Sequence, residues 1–284
     1  MNILSFDIEE WFHVLDHEGT EKPKNWQNFP KRLDSNVKRI LDILDEHNLS
    51  ASFFILGWVA ENYPDLVKEI SARGHEIGTH SYNHQLVYKQ SPEEFEDDLK
   101  ESINILSDLI SKKIKYYRAP GFSIKKEQTW AFDILKENGI EIDCSIFPAL
   151  RSHGGFKEFN YSEPLRIKLS NSYIKAFPMN LAKTLTLKYV FSGGGYFRFF
   201  PYTYINYLTN KSNYMMTYFH PRDFDPNQPR LDNLGHIKYF KSYVGLKKSE
   251  AKLNRFLKDH KFITLSKAND LIDWGKTPIF NIDI

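Results

Sequence analysis

Apolar, strand-like runs alternate with helix-patterned stretches through the first half of the chain, and only short joints separate them. Asn2 to Ile8 reads as a buried strand that ends in acids. Val37, Ile40, Leu41 and Leu44 recur at helical spacing, and Ala51 to Leu56 is the next apolar run. Pro64 to Ala72 reads as a short helix stopped by Gly74, with a strand from His75 to Thr79. Ser91, Pro92 and Glu94 spell a capping box with proline at the first helical position, and Phe95, Leu99, Ile103, Leu106 and Ile110 carry one apolar face. Lys115 to Tyr117 leads into Arg118, a helix from Lys126 to Asn138 ends at Gly139, and Ile140 to Ile142 ends at Asp143. Late strands are expected over Tyr214 to Phe219 and Phe262 to Leu265, and Arg151 to Ser172 reads as a long surface loop. This alternation predicts a parallel sheet, open or closed into a barrel. No repeat, low-complexity tract or linker divides the chain, so residues 1–284 read as a single domain.

The polar signatures fall just after predicted strands: Asp7, His80, Arg118, Asp143 and His220. In barrels that is the end where active sites assemble. An apolar share of 41% suits a globular core, and a formal charge of +2 argues against nucleic acid as a partner. The aromatic content of 15% is read first as core packing and second as material for a sugar groove. Cys144 is the only cysteine, which excludes an internal disulfide and a cysteine-based metal cluster. No leader pattern or apolar run of about 18 residues stands out, so no membrane span and a cytoplasmic location, at most at the inner membrane face, are expected.

His80 and His84 in Gly78-Thr79-His80-Ser81-Tyr82-Asn83-His84 can face one point if the chain turns there. A carboxylate is the natural third ligand of a hydrolytic metal, and three protein ligands leave a position open for water. Three acids at the end of a buried strand are costly unless they are used. In an extended strand Asp7 and Glu9 point to the same side, so one can bind the metal while the other serves as general base. Glu10 faces away and is the weaker ligand. Arg118-Ala119-Pro120-Gly121-Phe122 supplies a guanidinium able to hold Asp7 ionised, and backbone N–H groups around Gly121 and Phe122 to meet an oxyanion. His220, in Phe219-His220-Pro221-Arg222-Asp223, suits general acid duty toward a leaving amine. Ser192-Gly193-Gly194-Gly195-Tyr196-Phe197-Arg198 lacks the ending of a phosphate loop and reads as a tight bend or a close backbone approach to a ligand. His13, His153, Asp143 and Ser145 are expected near the site without an assigned task.

Taken as an ordered set, these segments resemble the five motifs of polysaccharide deacetylases of the NodB-homology type, carbohydrate esterase family 4. The set is Ser-Phe-Asp7-Ile-Glu9, His80-Ser-Tyr-Asn-His84, Arg118-Ala-Pro-Gly-Phe, Asp143-Cys-Ser-Ile-Phe-Pro and Tyr-Phe-His220-Pro. Residues from Ser192 to Pro201 and from His220 to Arg230 look like the C-terminal extension of an exopolysaccharide-associated subgroup, here about 190–284. The resemblance implies a distorted (β/α)7 barrel, with Glu9, His80 and His84 holding Zn²⁺ or another divalent ion such as Co²⁺, Mn²⁺ or Ni²⁺. It further implies Asp7 as base, Arg118 as its holder, His220 as acid, and an N-acetylated glycan as substrate, with Asp143 and Ser145 beside it. Two departures are visible: Asp7-Ile8-Glu9 replaces the usual adjacent pair of aspartates, and Gln85 replaces the usual proline. Glu10 therefore stays open as an alternative ligand. The alternative functions are an allantoinase-like amide hydrolase of a small molecule, with or without metal, and a catalytically silent glycan-binding barrel. Sugar identity, N- or O-linked acyl group and oligomeric state are not readable from these residues.

Overall fold

The computed structural model describes residues 1–282 apart from 16, 150, 152 and 184–187. Its first half follows the alternation. Strands β1 (Asn2–Ile3) and β2 (Ser5–Ile8) lead to helix α1 (Leu33–Glu46), then β3 (Ser52–Ile55), α2 (Gly57–Asn62), α3 (Pro64–Ala72) and β4 (Glu76–Thr79). Helix α4 (Pro92–Ile110), β5 (Tyr116–Tyr117), α5 (Trp130–Glu137) and β6 (Ile142–Asp143) complete this part. The second half holds β7 (Leu165–Lys168), β8 (Tyr173–Ala176), β9 (Ala182–Lys183), β10 (Lys188–Tyr189), α6 (Gly194–Phe199), α7 (Tyr202–Lys211) and β11 (Met215–Met216). It ends with α8 (His236–Tyr243), α9 (Leu246–Asp259), α10 (Leu265–Leu271) and β12 (Ile279–Asn281).

One sheet of eight strands runs β12-β7-β8-β6-β5-β4-β3-β2. The pairs from β2 to β6 and from β6 to β8 are parallel, and β7 is antiparallel to β8. On the outer side of β2, Phe6 bridges Phe219 in parallel, and β1 pairs in parallel with β11. The sheet thus wraps into a distorted barrel of the expected kind, although its hydrogen-bond ladder does not run round to a full closure.

Strands buried on both faces should be almost wholly apolar. Every residue of β2 and β3 is buried, and Phe6 stacks on Phe53 with centroids 5.2 Å apart. Helix α1 covers them with Val37, Ile40, Leu41 and Leu44, all fully buried. Helix α4 starts as its sequence specifies: Ser91 Oγ accepts the Glu94 N–H, and the Glu94 carboxylate accepts the Ser91 N–H. It stops at Ser111, whose φ of 52° is left-handed.

Three expectations need correction. The stretch from Arg151 to Ser172 is not loop throughout, because β7 lies within it; its alternation of buried and exposed residues is too short to stand out by eye. Phe262 to Leu265 forms only a bridge, Ile3 to Ile263, before α10 begins at Leu265. The true last strand is β12, parallel to β7.

Candidate active site

Register does much of the positioning. Thr79 pairs with Tyr117, so the next residues, His80 and Arg118, leave β4 and β5 side by side. Phe6 bridges Phe219, and the Asp7 N–H donates to the Phe219 carbonyl at 2.7 Å, which sets Asp7 beside His220. Residues at the same level of adjacent parallel strands therefore meet at one end of the barrel.

Asp7 lies on β2 with one carboxylate oxygen, Oδ1, accepting from Arg118 Nη1 at 2.6 Å. Arg118 is wholly buried, donates Nη2 to Ser5 Oγ at 2.9 Å, and lies over the Phe54 ring at 4.1 Å. Oδ2 of Asp7 is 3.8 Å from His220 Nε2 and faces the cleft.

Glu9, His80 and His84 offer ligand atoms that all lie within 4.8 Å of one another, and all are buried. The turn that the paired histidines need is present, since Ser81 and His84 have φ of 70° and 54°. His80 Nδ1 donates to the Arg118 carbonyl at 2.7 Å, which leaves Nε2 as the free ring nitrogen. Burial lowers the His80 pKa to about 4, so the imidazole is neutral, as a ligand must be. Glu9 Oε2 sits 2.6 Å from His84 Nε2 without hydrogen-bond alignment, the arrangement of two donor atoms aimed at a common point. Burial raises the Glu9 carboxyl, but His84, His220 and His80 together outweigh it and hold it far below the usual range. The residues present therefore fit a divalent ion: two imidazoles and an ionised carboxylate in a buried, converging set.

Glu10 goes elsewhere. Its carboxylate accepts the N–H groups of Arg32 and Leu33, at 2.9 and 3.1 Å, at the start of α1, and the Tyr63 hydroxyl at 2.6 Å. It caps a helix whose N-terminus favours negative charge.

His220 reaches both acids, with Nε2 3.3 Å from Glu9 Oε1. Its Nδ1 is 3.2 Å from Asp223 Oδ2, which also accepts the His220 N–H at 2.9 Å. Arg198, on α6, donates Nε to the other Asp223 oxygen at 3.0 Å. Burial lowers the His220 pKa, but Asp223, Glu9 and Asp7 raise it above the ordinary value overall. For Asp223 burial acts upward, and His220 and Arg198 reverse it to about 2.

Two further features, one residue and one ion pair, matter that the motifs did not announce. Asp98, on α4, accepts the N–H groups of Tyr82 and Asn83 at 2.7 and 2.9 Å, and so pins the loop between the two histidines. Arg198 and Asp223 form the second; the only sequence signal was an acid three residues after His220. The glycine run is a tight approach: a Cβ at Gly193 would lie 2.6 Å from the Tyr218 carbonyl oxygen, and Gly194 has φ of 52°.

Other expectations are amended by position. The Phe122 N–H is donated to the Ala119 carbonyl at 3.0 Å, so it is not available to an oxyanion, although Gly121 and Phe122 do line the cleft. Asp143 and Ser145 are fully buried and lie behind the cleft rather than on its surface. Asp143 accepts the Ser145 N–H at 3.0 Å, and Ser145 Oγ accepts the Ala119 N–H at 2.8 Å, so they brace the turn after Arg118. Burial pushes Asp143 up to about 7. His13 and His153 both line the cleft, and His13 stacks on His84 with centroids 5.9 Å apart.

Comparison with known proteins agrees with this geometry. Residues 17–142 match the polysaccharide deacetylase family, and residues 144–270 match a domain of unknown function, DUF3473. A peptidoglycan-N-acetylglucosamine deacetylase of Bacillus cereus is 37% identical over 94 residues, 33% of this chain and 34% of that protein. A chitooligosaccharide deacetylase of Rhizobium leguminosarum bv. trifolii is 38% identical over 101 residues, 35% of this chain and 44% of that one. The chain thus spans well under two thirds of the length of these curated relatives. A structure from Mycobacterium smegmatis, classed as a polysaccharide deacetylase, covers 98% of this chain and 91% of its own, with a TM-score of 0.68 at 18% identity. Puue allantoinase covers 95% of this chain and 87% of its own, with a TM-score of 0.59 at 15% identity; at such identities the likeness is one of fold. Residues 17–142 thus resemble the polysaccharide deacetylases, and the ordered motifs of that resemblance meet at one end of the barrel.

Proposed function

We propose that this protein hydrolyses N-acetyl groups of amino sugars in a bacterial glycan or glycan precursor, with a divalent ion held by Glu9, His80 and His84. The observation that carries the proposal is convergence: Asp7, the Glu9–His80–His84 group and His220 all open into one cleft. Relatives whose names specify peptidoglycan N-acetylglucosamine, N-acetylmuramic acid and chitooligosaccharides support the substrate class. Two imidazole nitrogens and one carboxylate suit Zn²⁺ best, with Co²⁺, Mn²⁺ and Ni²⁺ as alternatives. When bound, such an ion polarises the amide carbonyl and makes water more acidic.

The protein's own groups divide the proton work. Asp7 uses Oδ1 on Arg118 and keeps Oδ2 toward the cleft, where it takes the proton of the attacking water. Arg118 fixes the direction of that carboxylate. His220 delivers a proton from Nε2 to the departing amine nitrogen, with Nδ1 held on Asp223. Acetate and a free amino sugar result.

The test is a chelated, then reloaded, full-length chain assayed for acetate release from N-acetylchitooligosaccharides and for hydrolysis of small ureides. Acetate release restored by Zn²⁺, Co²⁺, Mn²⁺ or Ni²⁺ is expected. Ureide hydrolysis without acetate release would point to the allantoinase-like alternative, and tight glycan binding with neither product to a silent binder. Unchanged metal content in His80→Ala would remove the ligand assignment.

A further inference from the structure

We propose that the cleft selects N-acetylated glycans bearing an anionic group, carboxylate or phosphate, close to the reacting sugar, and that Arg151 and Arg222 receive that group. The inference rests on the deacetylase reading above and names its substrate class. The cleft has a volume of about 760 Å³, far more than an acetamide needs and within the range of sites that enclose sizeable ligands.

Charge on the cleft floor is already matched. Asp7 is paired with Arg118 at 2.6 Å, Asp223 with Arg198 at 3.0 Å, and Glu9 faces His84 and His220 at 2.6 and 3.3 Å. The walls differ. Arg151 stacks over the rings of Phe122, Phe147 and Tyr218, 4.9, 5.2 and 5.5 Å from their centroids, and its Nη1 is buried with no hydrogen-bond partner. Arg222 gives Nε to Gln228 Oε1 at 3.1 Å, and its Nη2 is likewise buried without a partner. Among the described residues neither guanidinium has a carboxylate in ion-pair contact.

A buried, charged N–H with no acceptor is costly. Both residues line the same cleft, so an acceptor that enters it meets two guanidinium groups that no carboxylate of the protein neutralises. A planar guanidinium fits carboxylate and phosphate oxygens in pairs, and the aromatic bed under Arg151 fixes its plane. At the rim, Tyr196, Phe199 and Phe240 are 42%, 54% and 52% exposed and line the same cleft, an apolar platform for sugar ring faces. Both arginines and all three rings fall within 144–270, so the region matching a domain of unknown function supplies the recognition wall. A neutral chitin-like chain would leave both guanidinium groups unanswered.

The test pairs ligands that differ only in charge. Full-length Asp7→Asn protein is titrated by calorimetry with a hyaluronan hexasaccharide and its carboxyl-reduced form, and with N-acetylglucosamine 1-phosphate and N-acetylglucosamine. The charged member of at least one pair should bind about ten-fold tighter, and which pair responds separates carboxylate from phosphate. Adding Arg151→Gln or Arg222→Gln should reduce that ratio by about three-fold or more, whereas Arg222→Lys keeps the charge and most of the ratio, with melting curves confirming the fold. Ratios near one for both pairs, or a ratio that survives both glutamine variants in folded protein, would overturn the inference. Parallel acetate assays on the native chain keep the two readings apart. Charge preference in binding with no acetate from any glycan would sink the deacetylase reading alone. Acetate released without charge preference would sink this one alone.

Discussion

Two arginine–carboxylate pairs flank the cleft, and they differ in how many carboxylate oxygens remain free. Arg118 takes one oxygen of Asp7 through Nη1 and gives Nη2 to Ser5, so Asp7 keeps Oδ2 open toward His220 and the cleft. Asp223 has no such reserve. Arg198 holds one oxygen, and His220 uses the other through both its backbone N–H and its ring. In the proposed reaction the same ion-pair chemistry yields a base in one place and a positioning residue in the other. Spare acceptor capacity, rather than residue type, makes the difference.

The largest expected effect tests the floor. Asp7→Asn should lower kcat/KM for deacetylation by about 10²–10⁴-fold with metal content unchanged, read from acetate release beside metal analysis. Asp223→Asn should cost less, about 10–100-fold, because an amide still accepts from Arg198 or His220 but orients the ring poorly. If the two losses are equal, the division into base and orienter is wrong. Asp98→Ala probes a third anchored carboxylate that touches neither pair. It removes two acceptors from the loop between His80 and His84 and should weaken Zn²⁺ binding by roughly ten-fold and stability by about 1–3 kcal/mol, read by competition with a chelating dye and by denaturant unfolding.

The smallest effect lies at the opposite end of the barrel. Burial depresses the His75 pKa to about 4 from an ordinary 6.5. Between these values the unfolded chain binds the extra proton and the folded chain does not, so stability should fall gently as pH drops from about 6.5 to about 4. His75→Gln should flatten that slope in pH-dependent denaturation curves. An unaltered slope would assign the acid sensitivity to other groups, such as the anchored carboxylates at the site end.

How much was legible follows from where each residue sits. Asp7, Glu9, His80, His84, Arg118 and His220 could be found because each stands at or just past a strand end, where an apolar run breaks into a polar residue. Asp98 could not, since an acid within an acid-rich helical stretch looks like part of a solvated face. The Arg198–Asp223 pair depends on α6 folding back over the His220 turn, a tertiary event that no spacing announces. The choice between Glu9 and Glu10 turned on helix α1, whose start at Leu33 draws Glu10 away across the fold. Strands β7 and β12 are not legible because strands this short alternate polar and apolar residues over too few positions. Asp143 and Ser145 were read as site residues from their strand-end position, but their side chains turn behind the Arg118 strand instead.

Arg118 serves two masters through different parts of one residue. Its side chain restrains Asp7, while its main-chain carbonyl fixes the ring of His80. A side-chain replacement there severs only the first tie, so a variant at this position reports on the base while the imidazole keeps its tether. A shift of the backbone would disturb both at once. In the proposed mechanism, proton abstraction and ion capture are thereby geared to a single residue, and drift in one is felt by the other.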